Sequence, residues 1–175
     1  EGGLIMKTAD KGKHWVIQNT GTDQTIFSLQ FTARATGFAV GFGGIVLKTV
    51  NGGNNWMQLS PGTSTILYAL YFLNADTGYV AGADGALFRT LNGGTTWEPL
   101  VSATTYDLTA LFFTGPLTGF ATGISGTILK TSDGGLTWES RPSGSDRQLC
   151  SVMFPEPLSG YIAGDQGTIL KTGDG

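Results

Sequence analysis

The sequence is poor in the residues that most often carry chemistry. It has one cysteine, Cys150, and one histidine, His14, in 175 residues. A single cysteine excludes an intrachain disulfide. Cys150 lies in a strand-like segment, where a lone cysteine is expected to be a small buried hydrophobe. A single histidine excludes multi-histidine metal sites and leaves little for histidine-based catalysis. His14 is expected on the surface of a turn. Charged residues make up 13% of the chain, about half the usual share. The net charge is −3, and Arg34, Arg89, Arg141, Arg147 and the lysines are scattered along the sequence. No basic footprint for nucleic acid results. No apolar run reaches the roughly 18 residues that span a bilayer, so direct membrane insertion is not expected. No signal-peptide pattern is visible, and any targeting segment is expected outside these residues.

Glycine is abundant, at 28 residues, and hydrophobic residues make up 40% of the chain. That balance suits short strands joined by tight turns and disfavours helices. The four tryptophans, Trp15, Trp56, Trp97 and Trp138, stand 41 residues apart without insertion or deletion. Gly3, Gly44, Gly85, Gly126 and Gly167 share a column in this register. So do Lys7, Lys48, Arg89, Lys130 and Lys171, each followed by Thr, and so do Phe31, Phe72, Phe113 and Phe154. The repeats run approximately 3–43, 44–84, 85–125 and 126–166, with a partial copy at 167–175, and are expected to form a single array. Each holds four strand-like pieces, in the second copy Leu67–Phe72, Gly78–Ala81, Ala86–Thr90 and Thr96–Leu100. Four short strands per repeat predict an all-β fold, a β-propeller of four-stranded antiparallel blades. Helical repeats of this length would need an amphipathic helical period, which is absent.

The most specific segment lies between the third and fourth strands. It reads Thr131-Ser-Asp-Gly-Gly-Leu-Thr-Trp138 in the last full copy. Across the copies its framework is Asp10, Gly12 and Trp15; Asn51, Gly53 and Trp56; Asn92, Gly94 and Trp97; Asp133, Gly135 and Trp138. Asp and Asn accept hydrogen bonds from nearby backbone N–H groups, and Gly permits positive φ. A large ring then fills the space beside the turn. Asn replaces Asp in two copies, which keeps the acceptor and drops the charge. A site that needed carboxylates for catalysis or metal binding would not survive that exchange, so these residues are read as structural and no catalytic, metal or cofactor site is expected among them.

This segment resembles the Asp-box, or bacterial neuraminidase repeat, of sialidases, xyloglucan-cleaving glycosidases and sortilin-type receptors. The full repeat, Gly126-Thr-Ile-Leu-Lys-Thr-Ser-Asp-Gly-Gly-Leu-Thr-Trp138 with Leu149, Phe154 and Gly160-Tyr-Ile-Ala-Gly164, is similar to the photosystem II assembly/stability factor-like propeller repeat. The similarity covers essentially the whole chain. It implies either a secreted bacterial propeller, at the cell surface or envelope, or a thylakoid-lumen assembly factor. Segments such as Phe72-Leu-Asn-Ala-Asp-Thr-Gly-Tyr-Val-Ala-Gly82 look more like the secreted group. It also implies that the chain starts and stops at a third strand. A piece of a longer propeller is therefore expected, roughly 290 residues for seven blades. Unpaired strands at its ends would favour self-association or a protein partner.

The column Phe38, Tyr79, Phe120, Tyr161 is read as core between blades, and the lysine column as snorkelling along the sheet face. Sialidase chemistry needs an arginine cluster, yet the four arginines fall at four different repeat positions. A glycosidase needs a pair of acids, and nothing in the sequence selects one pair. The copies differ most in the turns between second and third strands and in the loops joining successive blades. Asp84, Tyr106, Arg147, Asp165 and Gln166 lie there, and they form the candidate binding face. The expected function is a non-enzymatic interaction or structural scaffold of a secreted bacterial protein. The alternatives are an assembly factor for a photosynthetic membrane complex and a segment of a glycoside hydrolase.

Overall fold

The computed structural model describes residues 2–175. The chain starts with an antiparallel pair, β1 (Ile5–Lys7) and β2 (Val16–Gln18). Three complete four-stranded blades follow. The first comprises β3 (Ile26–Phe31), β4 (Gly37–Gly41), β5 (Val46–Thr49) and β6 (Met57–Leu59). The second comprises β7 (Leu67–Phe72), β8 (Gly78–Gly82), β9 (Leu87–Thr90) and β10 (Glu98–Pro99). The third comprises β11 (Leu108–Phe113), β12 (Gly119–Gly123), β13 (Ile128–Thr131) and β14 (Glu139–Ser140). A three-stranded sheet of β15 (Leu149–Glu156), β16 (Ser159–Gly164) and β17 (Ile169–Thr172) completes the described chain. Strand order within each blade is sequential and every pairing is antiparallel.

The expected strands are present with small shifts. The fourth strands are shorter than anticipated, only Glu98–Pro99 in place of Thr96–Leu100. Pro99 cannot donate to a ladder, which suits an outer edge. The last first-to-second connection also differs. Here Pro155 and Glu156 extend β15, and the register slips between Met153 and Glu156.

Most of the core lies between blades rather than inside them. One buried cluster joins Phe38, Val40 and Val46 of the first blade to Leu67, Leu70, Phe72 and Val80 of the second. Another joins Tyr79, Ala81 and Leu87 to Leu108, Leu111, Phe113, Leu129 and Trp138 of the third. Ile5 packs with Ala39, Ile45 and Leu47 in the same manner. The inner strands follow one another in chain order, β3 on β7, β7 on β11 and β11 on β15.

A repeated aromatic contact makes each boundary. Phe38 stacks on Phe72 of the next blade with ring centroids 3.7 Å apart and 8° between planes. Tyr79 stacks on Phe113, and Phe120 on Phe154, each at 4.2 Å. The receiving phenylalanine then meets its own blade's tryptophan edge-on, Phe72 with Trp97 at 6.2 Å and Phe113 with Trp138 at 6.0 Å. Room for the ring depends on glycine. A Cβ at Gly78 would stand 2.3 Å from the Phe72 ring, and one at Gly119 2.5 Å from that of Phe113. The column expected as core is therefore buried at Phe38, Tyr79 and Phe120, while Tyr161, with no described blade over it, is 38% exposed.

Hydrogen bonds cross the same boundaries. The Gln30 amide donates to Phe72 O and accepts from Phe72 N–H. Tyr71 Oη donates to Phe113 O at 3.0 Å. The lysine column does more than snorkel. Lys48 Nζ lies over the Phe38 ring and donates to Gly93 O in the next blade's hairpin at 2.8 Å. Lys130 reaches Gly175 O in the same way. Lys7 reaches the Asn54 side chain, and Arg89 and Tyr79 both point at Gly134 O.

The three hairpins of the complete blades are each organised around one buried hydroxyl. Thr131 Oγ1 accepts from Gly135 N–H and donates to Asp133 Oδ1. Asp133 Oδ1 accepts from Thr137 N–H at 3.0 Å, and Oδ2 accepts from Thr137 Oγ1 at 2.6 Å. Trp138 Nε1 donates to Gly135 O, closing the turn, and Gly135 has φ +81°. Asn51 and Asn92 use the same oxygen toward Asn55 N–H and Thr96 N–H. The amide thus replaces the carboxylate without loss of the acceptor. In the first hairpin Asp10 accepts from His14, whose side chain is 85% exposed. Trp15 is also exposed, while Trp56 and Trp97 are half-buried.

Two predictions follow from these contacts. Phe113→Ala removes a ring sandwiched between Tyr79 and Trp138 and is expected to cost about 3–5 kcal/mol. Phe27→Ala, at a half-exposed ring, is expected to cost less than about 1.5 kcal/mol. Equilibrium urea denaturation compares the two, and equal costs would remove the boundary stack as the main support. The hydroxyl and N–H of Thr137 and the hydroxyl of Thr131 hold Asp133 below its ordinary value of 3.8, at about 2. A carboxylate with a depressed folded pKa contributes stability above its unfolded pKa and loses it as pH falls through the folded one. The urea midpoint is therefore expected to decline as pH drops from 3.8 toward about 2. Asp133→Asn should shrink that decline, and wild type and variant should converge at the acid end.

Candidate binding face

The blades have two loop edges. On one, each strand-three hairpin is tied to the first-to-second turn of its own blade, as by Gly52 N–H to Ala35 O and Gly93 N–H to Asp76 O, both 2.8 Å. On the other, the second-to-third connection is a single 3₁₀ turn in the first, second and last sheets and a plain turn at 124–126 in the third, each bonded to the loop that enters its blade. Phe42 N–H donates to Thr25 O, Ala83 N–H to Ile66 O, and Asp165 N–H to Gln148 O. The middle residue of each turn has positive φ: Gly43, Asp84, Ser125 and Gln166. The candidate residues Asp84, Tyr106, Arg147, Asp165 and Gln166 therefore share one edge, and all five are exposed.

They do not form a single site. Asp84 and Tyr106 line one groove, between the 3₁₀ turn of the second blade and loop 101–106. Tyr106 also borders a second groove with Ser125, Pro142 and Asp146. Arg147 pairs with its neighbour Asp146 at 3.4 Å, and its carbonyl accepts from Gly126 N–H. Asp165 and Gln166 stand beside Cys150 in the last sheet. Cys150 is a correction to the sequence reading. It is exposed, with Sγ 3.7 Å from Asp165 Oδ1, because it stands near the start of the inner strand of the last described sheet, where no following blade covers it. Partial burial and the charge of Asp165 push its thiol pKa up, which disfavours the thiolate.

The repeat column that holds Cys150 supplies a feature that the sequence reading missed. Its members are Phe27, Tyr68, Thr109 and Cys150. Phe27 and Tyr68 form a tilted pair with centroids 5.4 Å apart, and Phe27 is 46% exposed. Burial, the Asp107 carboxylate and the charge of Asp84 together raise the Tyr68 phenol pKa. Asp107 Oδ1 also accepts from Asp84 N–H at 3.0 Å. An aromatic pair thus adjoins two carboxylates at the inner rim. Variation within the column, two aromatic rings against Thr and Cys, was the available signal, and the framework columns drew attention from it.

Topology also sorts the charges that looked scattered. The 3₁₀-turn edge carries Asp23, Asp84, Asp107, Asp146 and Asp165 against Arg141 and Arg147, and both arginines pair with acids, Glu139 and Asp146. The hairpin edge holds Lys7, Lys11, Lys13, Arg34, Lys48, Arg89, Lys130 and Lys171, interleaved with acids. Among the described residues no group of three or more His, Cys, Asp or Glu is placed to hold a metal ion. No helix among them is long and apolar enough to cross a membrane.

Residues 100–173 match the sequence family described as photosynthesis system II assembly factor YCF48. No curated protein matches the chain by sequence. Among solved structures, YCF48 from Cyanidioschyzon merolae superposes with a TM-score of 0.77 at 22% identity, covering 98% of this chain and 63% of that one. A structure of YCF48 bound to D1 peptide gives 0.68 at 15%, covering 100% of this chain and 58% of that one. The GH74 enzyme of Niastella koreensis gives 0.72 at 15%, covering 95% of this chain and 31% of that one. The chain thus spans less than two thirds of each, and at these identities the likeness is one of fold. The match to that family thus rests on residues 100–173, and the chain as a whole has the β-propeller fold, in one 41-residue register throughout.

Proposed function

We propose that the chain is a non-enzymatic, protein-binding propeller segment that acts in assembly of a photosynthetic membrane complex, with the thylakoid lumen as its compartment. The observation that carries this reading is the match of residues 100–173 to the assembly-factor family. It favours the assembly role over the secreted bacterial scaffold expected from sequence. YCF48 bound to D1 peptide, one of the structures of similar fold, supports the protein-binding part of this reading.

The 3₁₀-turn edge is the surface we assign to the partner. Exposed Phe27 and half-buried Tyr68 offer aromatic area, and Asp84 and Asp107 beside them favour a cation with an apolar stem. An extended partner segment carrying Lys or Arg matches that pair in shape and charge. The Asp and Asn residues of the hairpins are committed to their own turns, which supports the non-enzymatic part.

The test is fluorescence anisotropy with labelled peptides tiled over the lumen-exposed segments of photosystem II subunits, D1 among them. A lysine- or arginine-bearing peptide should bind, and binding should weaken with added salt. Tyr68→Ala and Asp107→Asn should each weaken it about tenfold. Lys11→Ala, on the opposite edge, should leave it unchanged. Binding that ignores Tyr68 and Asp107 would move the partner off this face. Turnover of xyloglucan or a sialoside by the protein would refute the non-enzymatic reading.

A further inference from the structure

Two hairpins carry an Asn-Gly pair, Asn51-Gly52 and Asn92-Gly93. Asparagine followed by glycine is the sequence most open to succinimide closure, because glycine puts no Cβ beside the attacking backbone nitrogen. The deprotonated glycine nitrogen forms a bond to the asparagine Cγ. The Cγ–Nδ2 bond breaks and ammonia leaves. Water then opens the ring at either carbonyl, giving aspartate or isoaspartate. Both side chains are exposed, so water and hydroxide reach them.

The fold holds the attacking atom. Gly52 N–H donates to Ala35 O, and Gly93 N–H to Asp76 O, each at 2.8 Å. Those acceptors belong to the first-to-second turn of the same blade. In the second blade, Asn74 Oδ1 secures that turn by accepting from Asp76 N–H at 2.9 Å and Thr77 N–H at 2.8 Å. The corresponding residue of the first blade is Ala33, which has no such acceptor.

The fold also has a place for the aspartate. Asn92 Oδ1 accepts from Thr96 N–H, and Nδ2 donates to Thr96 Oγ1 at 2.8 Å. In the third blade Asp133 stands at the same position. There the threonine hydroxyl has turned round, and Thr137 Oγ1 donates to Oδ2 at 2.6 Å. Conversion at residue 92 needs only that rotation. At residue 51 the equivalent neighbour is Asn55, which has no hydroxyl, so an aspartate there gains no matching donor.

We propose that Asn51 and Asn92 are latent deamidation sites gated by the neighbouring first-to-second turn, and that Asn92 converts to an aspartate held as Asp133 is.

The chain is incubated at mildly alkaline pH, native and in urea, and both positions are followed by peptide mapping with mass spectrometry. Both should convert rapidly in urea and at least about tenfold more slowly in the native protein, where conversion waits on local opening. Asn74→Ala should accelerate conversion of Asn92 in the native protein and leave Asn51, the internal control, unchanged. Asn92→Asp should keep or raise the urea midpoint of the wild type at neutral pH. Equal rates in native and unfolded protein would overturn the gate, as would equal acceleration of both sites by Asn74→Ala. A loss of stability in Asn92→Asp would overturn the accommodation of the product.

Discussion

The stack of an aromatic ring from one blade on the repeat-column phenylalanine of the next is the contact on which the rest depends. A four-stranded blade this short cannot bury its own faces. Phe38 on Phe72, Tyr79 on Phe113 and Phe120 on Phe154 supply the missing side of each core. The glycine that opens every second strand is there because the ring needs its Cβ space. The tryptophans that end the three hairpins of the complete blades give the ring an edge to meet. Stability in such an array is a sum over neighbouring units, so the boundary weighs more than any single sheet.

Much of this was legible in the sequence because the repeat is strict. A fixed period turns one noisy strand pattern into several aligned readings, and the columns of Phe, Gly, Lys-Thr and Trp became evident together. The hairpin roles were also readable, since the Asp/Asn exchange defines what the position requires: an oxygen acceptor, not a charge. The buried column at Phe38, Tyr79 and Phe120 was correctly placed between blades. What the period conveys is what the copies share.

The candidate face is made of what they do not share, and there the sequence was a poorer guide. Cys150 was expected inside because a lone cysteine in a strand is usually buried. It stands, however, near the start of the last described inner strand, where no following blade covers it. The cations looked scattered because their neighbours in space lie a repeat apart in sequence. Only the pairing of strands puts eight of them on the hairpin edge and the loop aspartates on the other. The lysine column was read as lying along its own sheet, whereas Lys48 ends on a carbonyl of the following blade. Contacts between repeats are set by the angle between blades, which no single repeat encodes.

Four of the side-chain contacts that cross the boundaries share a direction. Lys48 to Gly93, Gln30 to Phe72, Tyr71 to Phe113 and Phe38 onto Phe72 all reach from an earlier blade to a later one. The chain leaves the ribosome in that same order. The side chains that reach across each of these boundaries are therefore synthesised before the hairpin and inner strand that receive them.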